Sequence, residues 1–383
     1  MLARLLSDPV MKGLEALERA AAEKVARAAR ERRPVLIRFN NDADGVCAGL
    51  SVRRAVSALL ESGNVPRDES RRLLKDYQNN GAVYETGSAS GDVLLLRGAS
   101  EKRPLVILVD FGANAESVPG LAVARNEGCE IVVIDHHPHA PEAARLIDAL
   151  VSPWLVEGGG SDYSAGLVSG EVAKKIYPVD VEELQRIALA GDKSRLIPPT
   201  PGLLKKALAL DYLCDTAQPR NSLAKCEALL SDPAKLAEAH SQAAEKIGAV
   251  AAQAKGNAKV RELQNGYVVV ILDIARLKRT GRFPRDGKIA TVVHDSFSAG
   301  EKRPLVTLGK AKDAASFRAN AAARAAGFSA PKIIDELKRE LPDAITAGGG
   351  HDAAASVHAK KGLGKIVFDE AYKKLEALKA GGG

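Results

Sequence analysis

Three short apolar runs constrain the fold more than any other feature of this sequence. They cover residues 34–39, 105–109 and 131–134 and are rich in Val, Ile and Leu. A strand needs this composition when helices cover both faces of its sheet, as in a parallel sheet. Segments with helical character lie between the runs, so we predict an α/β domain with a doubly wound parallel sheet.

The remaining chain changes character twice. Residues 166–230 carry several helical patterns, and residues 233–263, rich in Ala, Lys, Glu and Gln, contain strong helix formers throughout. Further apolar runs at 266–272, 288–294 and 305–308 predict strands of a second, smaller α/β domain. The resulting domain prediction is residues 1–195, a helical connector at residues 196–262, and residues 263–383.

Acidic and histidine side chains follow each of the three early apolar runs. In chain order they are Asn40, Asn41, Asp42 and Asp44, then Asp110, then Asp135, His136 and His137. In open α/β sheets, ligands bind outside the carboxyl ends of the strands, so we expect these side chains to meet in one crevice. A single Asp after a strand is commonly a helix cap or turn residue, but three such sites in order weaken that interpretation.

The clustered acids predict a metal site. Carboxylates packed together repel one another, and a divalent cation removes that penalty. Carboxylates with one or two imidazoles suit Mn²⁺ or Mg²⁺ better than Zn²⁺. Asp192 follows an apolar helical segment and adds a further acid at the same edge, although Gly191-Asp192 alone would also suit a helix end.

A glycine-rich segment near the carboxyl end indicates anion binding. Residues 348–351 are Gly-Gly-Gly-His, and we predict a loop here that runs into a helix over the following Ala-rich residues. Such a loop brings backbone N–H groups against a phosphate, and the helix dipole adds favourable potential. His351 and Arg318 can donate to the same anion. The alternative is a flexible glycine turn before a helix.

Composition limits the function classes. Lys and Arg number 55 against 48 Asp and Glu, a net charge of +7, which suits a polyanionic partner or a merely solvated surface. No apolar run approaches the ~20 residues that cross a bilayer. Residues 1–33 predict a charged amphipathic helix without a signal peptide, so we expect a cytoplasmic protein. The four cysteines form no CxxC pair, which argues against a zinc knuckle or a redox dithiol.

The order of these motifs resembles that of a known family. The segments are Asn41-Asp42-Ala43-Asp44-Gly45, Asp110-Phe111-Gly112, Asp135-His136-His137 and Gly191-Asp192. Together they resemble the four motifs of the DHH phosphoesterase superfamily, and Gly348-Gly349-Gly350-His351 resembles the hallmark of its DHHA1 domain. Within the superfamily the chain is most similar to the RecJ-like exonucleases, particularly the compact archaeal kind.

The resemblance implies an active site with two Mn²⁺ ions, or Mg²⁺, in a cleft between a DHH domain and a DHHA1 domain. Its implied metal ligands are Asp42 for one ion, Asp44 for the other, Asp110 as a bridge, and His136 and Asp192. Relatives usually carry a His or an acid just before the Asp-x-Asp pair, whereas this chain has Asn40, a weaker neutral ligand.

The resemblance also implies the residues that act on the substrate. Asp135 would orient the imidazole, and His137 would lie near the scissile phosphate. Residues of the carboxyl domain, namely His351, Gly349, Gly350 and Arg318, would hold the substrate's phosphate.

The implied activity is a Mn²⁺-dependent exonuclease that hydrolyses single-stranded DNA or RNA by in-line attack of hydroxide. Replication or repair proteins are the implied partners, in keeping with a role in DNA repair, and no membrane is involved. Two alternatives remain open. One is a phosphodiesterase for very short oligonucleotides or cyclic dinucleotides, and the other is a replication scaffold with little or no catalysis.

Overall fold

The computed structural model describes residues 2–217 and 222–378. The chain divides into two compact units, Met1–His240 and Ser241–Gly383. No helix within the described residues combines the length and the apolar character needed to cross a membrane.

The first unit is built on a five-stranded parallel sheet with strand order β2-β1-β3-β4-β5. The strands are β1 (Val35–Phe39), β2 (Leu74–Gln78), β3 (Leu105–Val109), β4 (Glu130–Ile134) and β5 (Ala149–Val151). Every residue of β1, β3 and β4 is buried, which explains why these strands are the apolar runs of the sequence. The predicted α/β fold with a parallel sheet is confirmed.

Helices cover both faces of this sheet. Alternate strand residues belong to two separate apolar cores: Ile37 and Ile107 face one core, whereas Leu36 and Val106 face the other. The helices are α1 (Pro9–Gly13), α2 (Glu15–Arg30), α3 (Ala43–Ser62), α4 (Arg67–Leu73), α5 (Thr86–Ala99), α6 (Val118–Asn126), α7 (Pro141–Ala144), α8 (Ala165–Ile176), α9 (Glu182–Gly191), α10 (Pro201–Thr216), α11 (Leu223–Leu230) and α12 (Pro233–Gly256), the last of which contains the boundary between the units.

The predicted connector, residues 196–262, is not a separate layer in the structure. Leu210 of α10 and Leu223 and Cys226 of α11 are buried in the first unit's core. At the other end of the segment, Lys259–Glu262 forms strand β6 of the second sheet. The difference arises because helix propensity indicates where helices form and not what their apolar faces contact.

The second unit contains a six-stranded mixed sheet with order β10-β11-β9-β8-β7-β6. All neighbouring pairs are antiparallel except β7 and β8. The remaining strands are β7 (Val268–Asp273), β8 (Leu305–Lys310), β9 (Ala314–Ala319), β10 (Ile345–His351) and β11 (Ala354–Ala359), and the helices are α13 (Asp286–Ser298), α14 (Ala321–Ala325), α15 (Ala330–Glu340) and α16 (Gly364–Glu376). Apolar cores lie on both faces of this sheet as well.

Two local predictions in this unit are wrong. Residues 288–294 are not a strand but lie in α13, where Ile289, Ala290 and Val293 are buried at helical spacing. Gly348-Gly349-Gly350-His351 is not a loop before a helix. It is the end of strand β10, which pairs with β11 in a hairpin, so no helix dipole follows it.

Close packing explains why glycine occupies this strand. A Cβ at Gly348 would lie 2.9 Å from Ile334 of α15, and one at Gly350 would lie 2.5 Å from the carbonyl oxygen of Ala354. Gly350 also has a φ of 137°, which residues with a side chain rarely adopt. Gly348 and Gly350 therefore allow close approach between neighbouring segments of the domain. A glycine-rich strand of this kind has the same sequence pattern as a flexible loop.

A buried ion pair joins the sheet of the first unit to α5. Nε and one terminal nitrogen of Arg38 donate to the two oxygens of Asp92 at 2.5 and 2.6 Å, and the Tyr84 hydroxyl donates to the same carboxylate at 2.9 Å. Removing one member of such a pair leaves an uncompensated buried charge. We predict that Asp92→Ala lowers the free energy of unfolding by about 3–5 kcal/mol in urea denaturation.

The matched control for this prediction is Glu127→Ala. It breaks an exposed pair with Arg97, which is also on α5, and should cost less than about 1 kcal/mol. Equal losses in the two variants would contradict the prediction.

Candidate metal centre

The carboxyl ends of β1, β3 and β4 bring the predicted acidic and histidine side chains together. Two sets of three have ligand atoms within 4.8 Å of one another: Asp110 with His136 and His137, and Asp44 with His136 and Asp192. Asp42 and Asn40 adjoin them, because the amide nitrogen of Asn40 contacts both Asp42 and Asp110. The sheet edge therefore gathers every residue of the first unit that we predicted for the site.

Helix termini hold the first two aspartates. Asp42 caps α3, and its Oδ1 accepts from the backbone N–H of Gly45 at 2.9 Å. Asp44 lies in the first turn of α3 and is buried. Its two oxygens accept from Ala165 and Gly166, the first residues of α8, at 2.8 and 2.7 Å. The amino terminus of α8 thus holds a buried negative charge in place.

Asp110 follows β3 in an unusual backbone conformation, with a φ of 66°. Its Oδ2 accepts from the amide nitrogen of Asn40 at 3.1 Å. Its Oδ1 is buried and has no hydrogen-bond donor among the residues that the structure describes. Burial raises the pKa of Asp110 well above its ordinary value, and the charges of Asp42 and Asp44 raise it further.

The ring of His136 is oriented by a backbone carbonyl. Nδ1 lies 2.8 Å from the Ser161 oxygen, so Nδ1 must carry the hydrogen that this bond needs. In the neutral imidazole the Nε2 lone pair then points at carboxylates. Nε2 lies 3.3 Å from Asp110 Oδ1, 3.3 Å from Asp192 Oδ2 and 3.7 Å from an oxygen of Asp44.

This arrangement fits a divalent cation. When His136 is neutral, its lone pair and the three carboxylate oxygens all accept, so a positive charge among them, carried by a proton or a metal ion, makes their proximity favourable. Oxygen donors with one imidazole suit Mn²⁺ or Mg²⁺, and the bond from Nδ1 to a carbonyl is the usual arrangement of a metal-binding His. The residues present therefore fit the metal that the sequence predicts.

Protons compete with a metal ion for this cluster. Burial opposes the charged imidazolium of His136, but Asp192 and Asp44 outweigh it and raise its pKa to about 9. Withdrawal from water and the charge of Asp44 raise the pKa of Asp192 to about 8. Both groups therefore hold protons that a metal ion must displace.

Asp135 contacts His137, and the Ser161 carbonyl orients His136. Oδ1 of Asp135 lies 2.8 Å from His137 Nδ1 and accepts from the His137 backbone N–H at 3.1 Å. Burial favours the neutral forms of both, yet their mutual attraction lowers the pKa of Asp135 and raises that of His137 to about 9. About a third of the His137 side chain is exposed (34%), so its ring borders the solvent beside the cluster.

Sequence reasoning missed the residues that support these ligands. Ser161 holds His136 through its carbonyl, Trp154 donates from its indole N–H to the His136 carbonyl at 2.9 Å, and residues 165–166 hold Asp44. Only the α8 terminus had a local signal, because Ser164 is a typical N-cap before an apolar segment. No pattern indicated which acid that terminus would face.

The predicted phosphate-binding residues of the second unit lie on adjacent strands. His351 of β10 pairs with Ala354 of β11, which pairs with Arg318 of β9. Residues opposite each other share a face, so His351 and Arg318 project from the same side of the sheet, roughly 10 Å apart at their backbones. Gly349 and Gly350 belong to β10, which is an edge strand.

Arg318 is held in place by its own unit. Its guanidinium donates to the Gly287 carbonyl at 2.9 Å, to the Thr291 hydroxyl at 2.7 Å and to the Phe317 carbonyl at 2.6 Å. Burial lowers its pKa to about 10. His351, in contrast, is exposed.

We predict that the affinity for Mn²⁺ rises with pH between about 6 and 9. Below the raised pKa values of Asp192 and His136, the ion must displace protons, and above them it does not. The metal-free protein should lose stability over the same interval. The pKa values of His136 and Asp192 are higher in the folded state than in the unfolded state, so the stabilisation from their bound protons is lost as the pH rises. The rise in Tm caused by saturating Mn²⁺ should therefore be larger at pH 8.5 than at pH 6.5.

Differential scanning fluorimetry with and without Mn²⁺ measures this shift. Asp192→Asn serves as the internal control, since it removes one titrating ligand and should flatten the pH dependence. The same increase in Tm at both pH values in the unsubstituted protein would contradict the prediction.

Comparisons with known proteins identify relatives of this chain. The model of the DHH family, N-terminal domain, matches residues 34–191. An uncharacterized protein of Methanocaldococcus jannaschii is 26% identical over an alignment that covers 98% of this chain and 56% of the relative. The chain thus spans about half the length of that curated relative.

Solved structures show the same fold. The DHH domain of a protein described as a member of a family of ribosomal proteins superposes with a TM-score of 0.87 at 27% identity, covering 99% of this chain and 94% of the other. The exonuclease RecJ bound to manganese superposes with a TM-score of 0.57 at 16% identity, covering 98% and 97%. Residues 34–191 therefore form an N-terminal domain of the DHH family.

Proposed function

We propose that this protein is a metal-dependent phosphodiesterase that removes nucleotides from single-stranded DNA or RNA. The observation that carries the proposal is the cluster in which Nε2 of His136 lies 3.3 Å from an oxygen of Asp110 and 3.3 Å from an oxygen of Asp192. The similarity in fold to RecJ bound to manganese favours a nuclease over the other kinds of phosphoesterase in the superfamily.

In this proposal the cluster holds two divalent ions, Mn²⁺ or Mg²⁺. Their ligands are Asp42, Asp44, Asp110, His136 and Asp192. When bound, such ions lower the pKa of water and stabilise the oxygens of an in-line displacement. Asn40 already donates to Asp42 and Asp110, so it offsets their charge, and the other orientation of its amide would offer an oxygen ligand.

His137 is the proposed acid–base residue beside the scissile phosphate. Asp135 fixes the ring through Nδ1, which leaves Nε2 as the atom that donates to the leaving oxygen. The carboxylate also favours the protonated ring, because it raises the pKa of His137. Asp135 therefore acts through His137 as a positioning residue.

In this proposal, residues of the second unit bind the substrate's phosphate. His351 is exposed and shares a sheet face with Arg318, whose guanidinium is fixed by Thr291 and the Gly287 carbonyl. Gly349 and Gly350 lie in an edge strand, which presents unpaired backbone groups. A Cβ at Gly349 would meet no atom of the described residues within 4 Å, so a phosphate can approach the strand closely at this residue.

Substrate length separates this proposal from its alternatives. A labelled panel of single-stranded DNA and RNA from two to thirty nucleotides, with cyclic dinucleotides added, is incubated with Mn²⁺, with Mg²⁺ or with EDTA. Release of mononucleotides from long strands is expected. A sharp maximum at two or three nucleotides would favour the short-substrate phosphodiesterase, and absence of both hydrolysis and Mn²⁺ binding would favour the scaffold.

Asp110→Asn should reduce hydrolysis by roughly 10³-fold, since it removes a charge worth several kcal/mol at the metal centre. The substitution keeps the size of the side chain, and Asn tolerates the positive φ at this position. Asp68→Asn, at a fully exposed carboxylate on α4, is the matched control and should retain full activity. Equal activity in Asp110→Asn and the unsubstituted protein would remove the proposal.

His351→Ala should raise KM for single-stranded substrates about tenfold, with a smaller change in kcat, if it binds phosphate in the ground state. His240→Ala, on α12, is the control. Steady-state kinetics on a ten-nucleotide strand measures both values. An unchanged KM for His351→Ala would exclude this residue from the substrate site.

A further inference from the structure

The first unit carries a second charged feature at the amino ends of β1 and β3. It is an open depression of about 810 Å³, called here the basic depression. It is lined by Arg27, Arg30, Glu31, Arg32, Arg33, Lys102 and Arg103. The metal centre lies at the opposite ends of the same strands, roughly 20 Å away along β1. The two features therefore cannot contact the same phosphate.

Part of this charge has a structural explanation. Glu130 is buried and accepts from Arg33 at 2.8 Å, from Arg27 at 2.9 Å and from Lys24 at 3.1 Å. Arg27 and Arg30 also lie in the last turn of α2, where cations complement the helix dipole. These structural roles account for the presence of Arg33, and in part for that of Arg27.

The remaining cations exceed what the fold requires. Arg30 is exposed and forms no ion pair within the described part of the chain. Lys102 and Arg103 come from the loop before β3, and each contacts a carbonyl, that of Glu31 at 2.7 Å and that of Gly128 at 3.1 Å. A carbonyl contact does not neutralise a cation. Two separate segments thus place exposed positive charge around one depression.

The kind of side chain indicates the kind of ligand. Five of the six cations are Arg, whose planar guanidinium suits phosphate oxygens. None of the lining residues is aromatic or aliphatic. Proteins that bind single strands add aromatic side chains on which bases stack, and protein interfaces use apolar anchors at their centres. A surface of six cations with a single acid, Glu31, suits repeated phosphates whose bases are paired and hidden.

We propose that the basic depression binds the phosphate backbone of double-stranded nucleic acid, at a site separate from the metal centre. Binding there needs no divalent ion and reads no sequence, because it contacts phosphates only. The proposal does not rest on the hydrolytic activity proposed above.

Fluorescence anisotropy with labelled, blunt-ended 20-base-pair duplexes tests the proposal, in EDTA and over 50–200 mM KCl. One arm uses DNA and the other RNA, which share the phosphate backbone. The double variant Arg30→Ala with Lys102→Ala removes two exposed cations of the depression. Its affinity should fall at least about tenfold, and the slope of log K against log salt should become shallower by about 1.8, which is 0.9 for each lost phosphate contact.

The matched control is Lys12→Ala with Arg19→Ala. It removes one Lys and one Arg from exposed positions of α1 and the beginning of α2, so the net charge changes equally. Its duplex affinity and salt slope should equal those of the unsubstituted protein. The single variant Arg30→Lys keeps the charge, so its slope of log K against log salt should equal that of the unsubstituted protein. This variant distinguishes loss of charge from an effect of the substitution on folding.

Three results would each overturn the proposal. They are an unchanged slope in the depression variant, an equal loss in both double variants, and tighter binding of a polyglutamate peptide than of either duplex. Hydrolysis of a chromogenic phosphodiester with Mn²⁺ is measured in parallel and should be equal in all these proteins. Loss of duplex binding with hydrolysis intact, or the reverse, therefore tells the two proposals apart.

Discussion

Mutual repulsion among the acids around His136 is the constraint on which the rest of the first unit depends. Asp44, Asp110 and Asp192 direct oxygens at one imidazole nitrogen from three different elements. Such an arrangement persists only in a rigid frame. The sheet, buried on both faces, provides that frame, and the α8 terminus and the Asn40 amide neutralise part of the charge. Fold and metal affinity are thus two aspects of one electrostatic arrangement.

The sequence predicted those parts of the protein whose physics is local. Buried parallel strands need continuous apolar runs, so β1, β3 and β4 were identifiable without any partner being known. Once the strands are parallel, their carboxyl ends meet at one edge, and the convergence of Asp42, Asp110 and His136 follows from topology. Assigning the site needed no knowledge of distant contacts.

The parts that sequence reasoning missed depend on partners far away in the chain. Residues 288–294 have enough β-branched residues for a strand, but their buried side follows helical spacing against the second sheet. Gly348 and Gly350 resemble loop glycines in the sequence because the steric demand on them comes from Ile334 and Ala354. The pairing of Asp135 with His137 likewise depends on how the turn after β4 bends. A residue's own sequence neighbourhood contains none of these contacts.

The left-handed backbone at Asp110 has a consequence for how this protein evolves and how it can be engineered. Among residues with side chains, Asn and Asp adopt such a φ more readily than most, and glycine does so without strain. Selection for heat resistance alone would favour replacement of this residue, because Asn removes a crowded charge and Gly removes the conformational cost as well. The residue at 110 thus marks whether a descendant of this chain was kept for its chemistry or only for its scaffold.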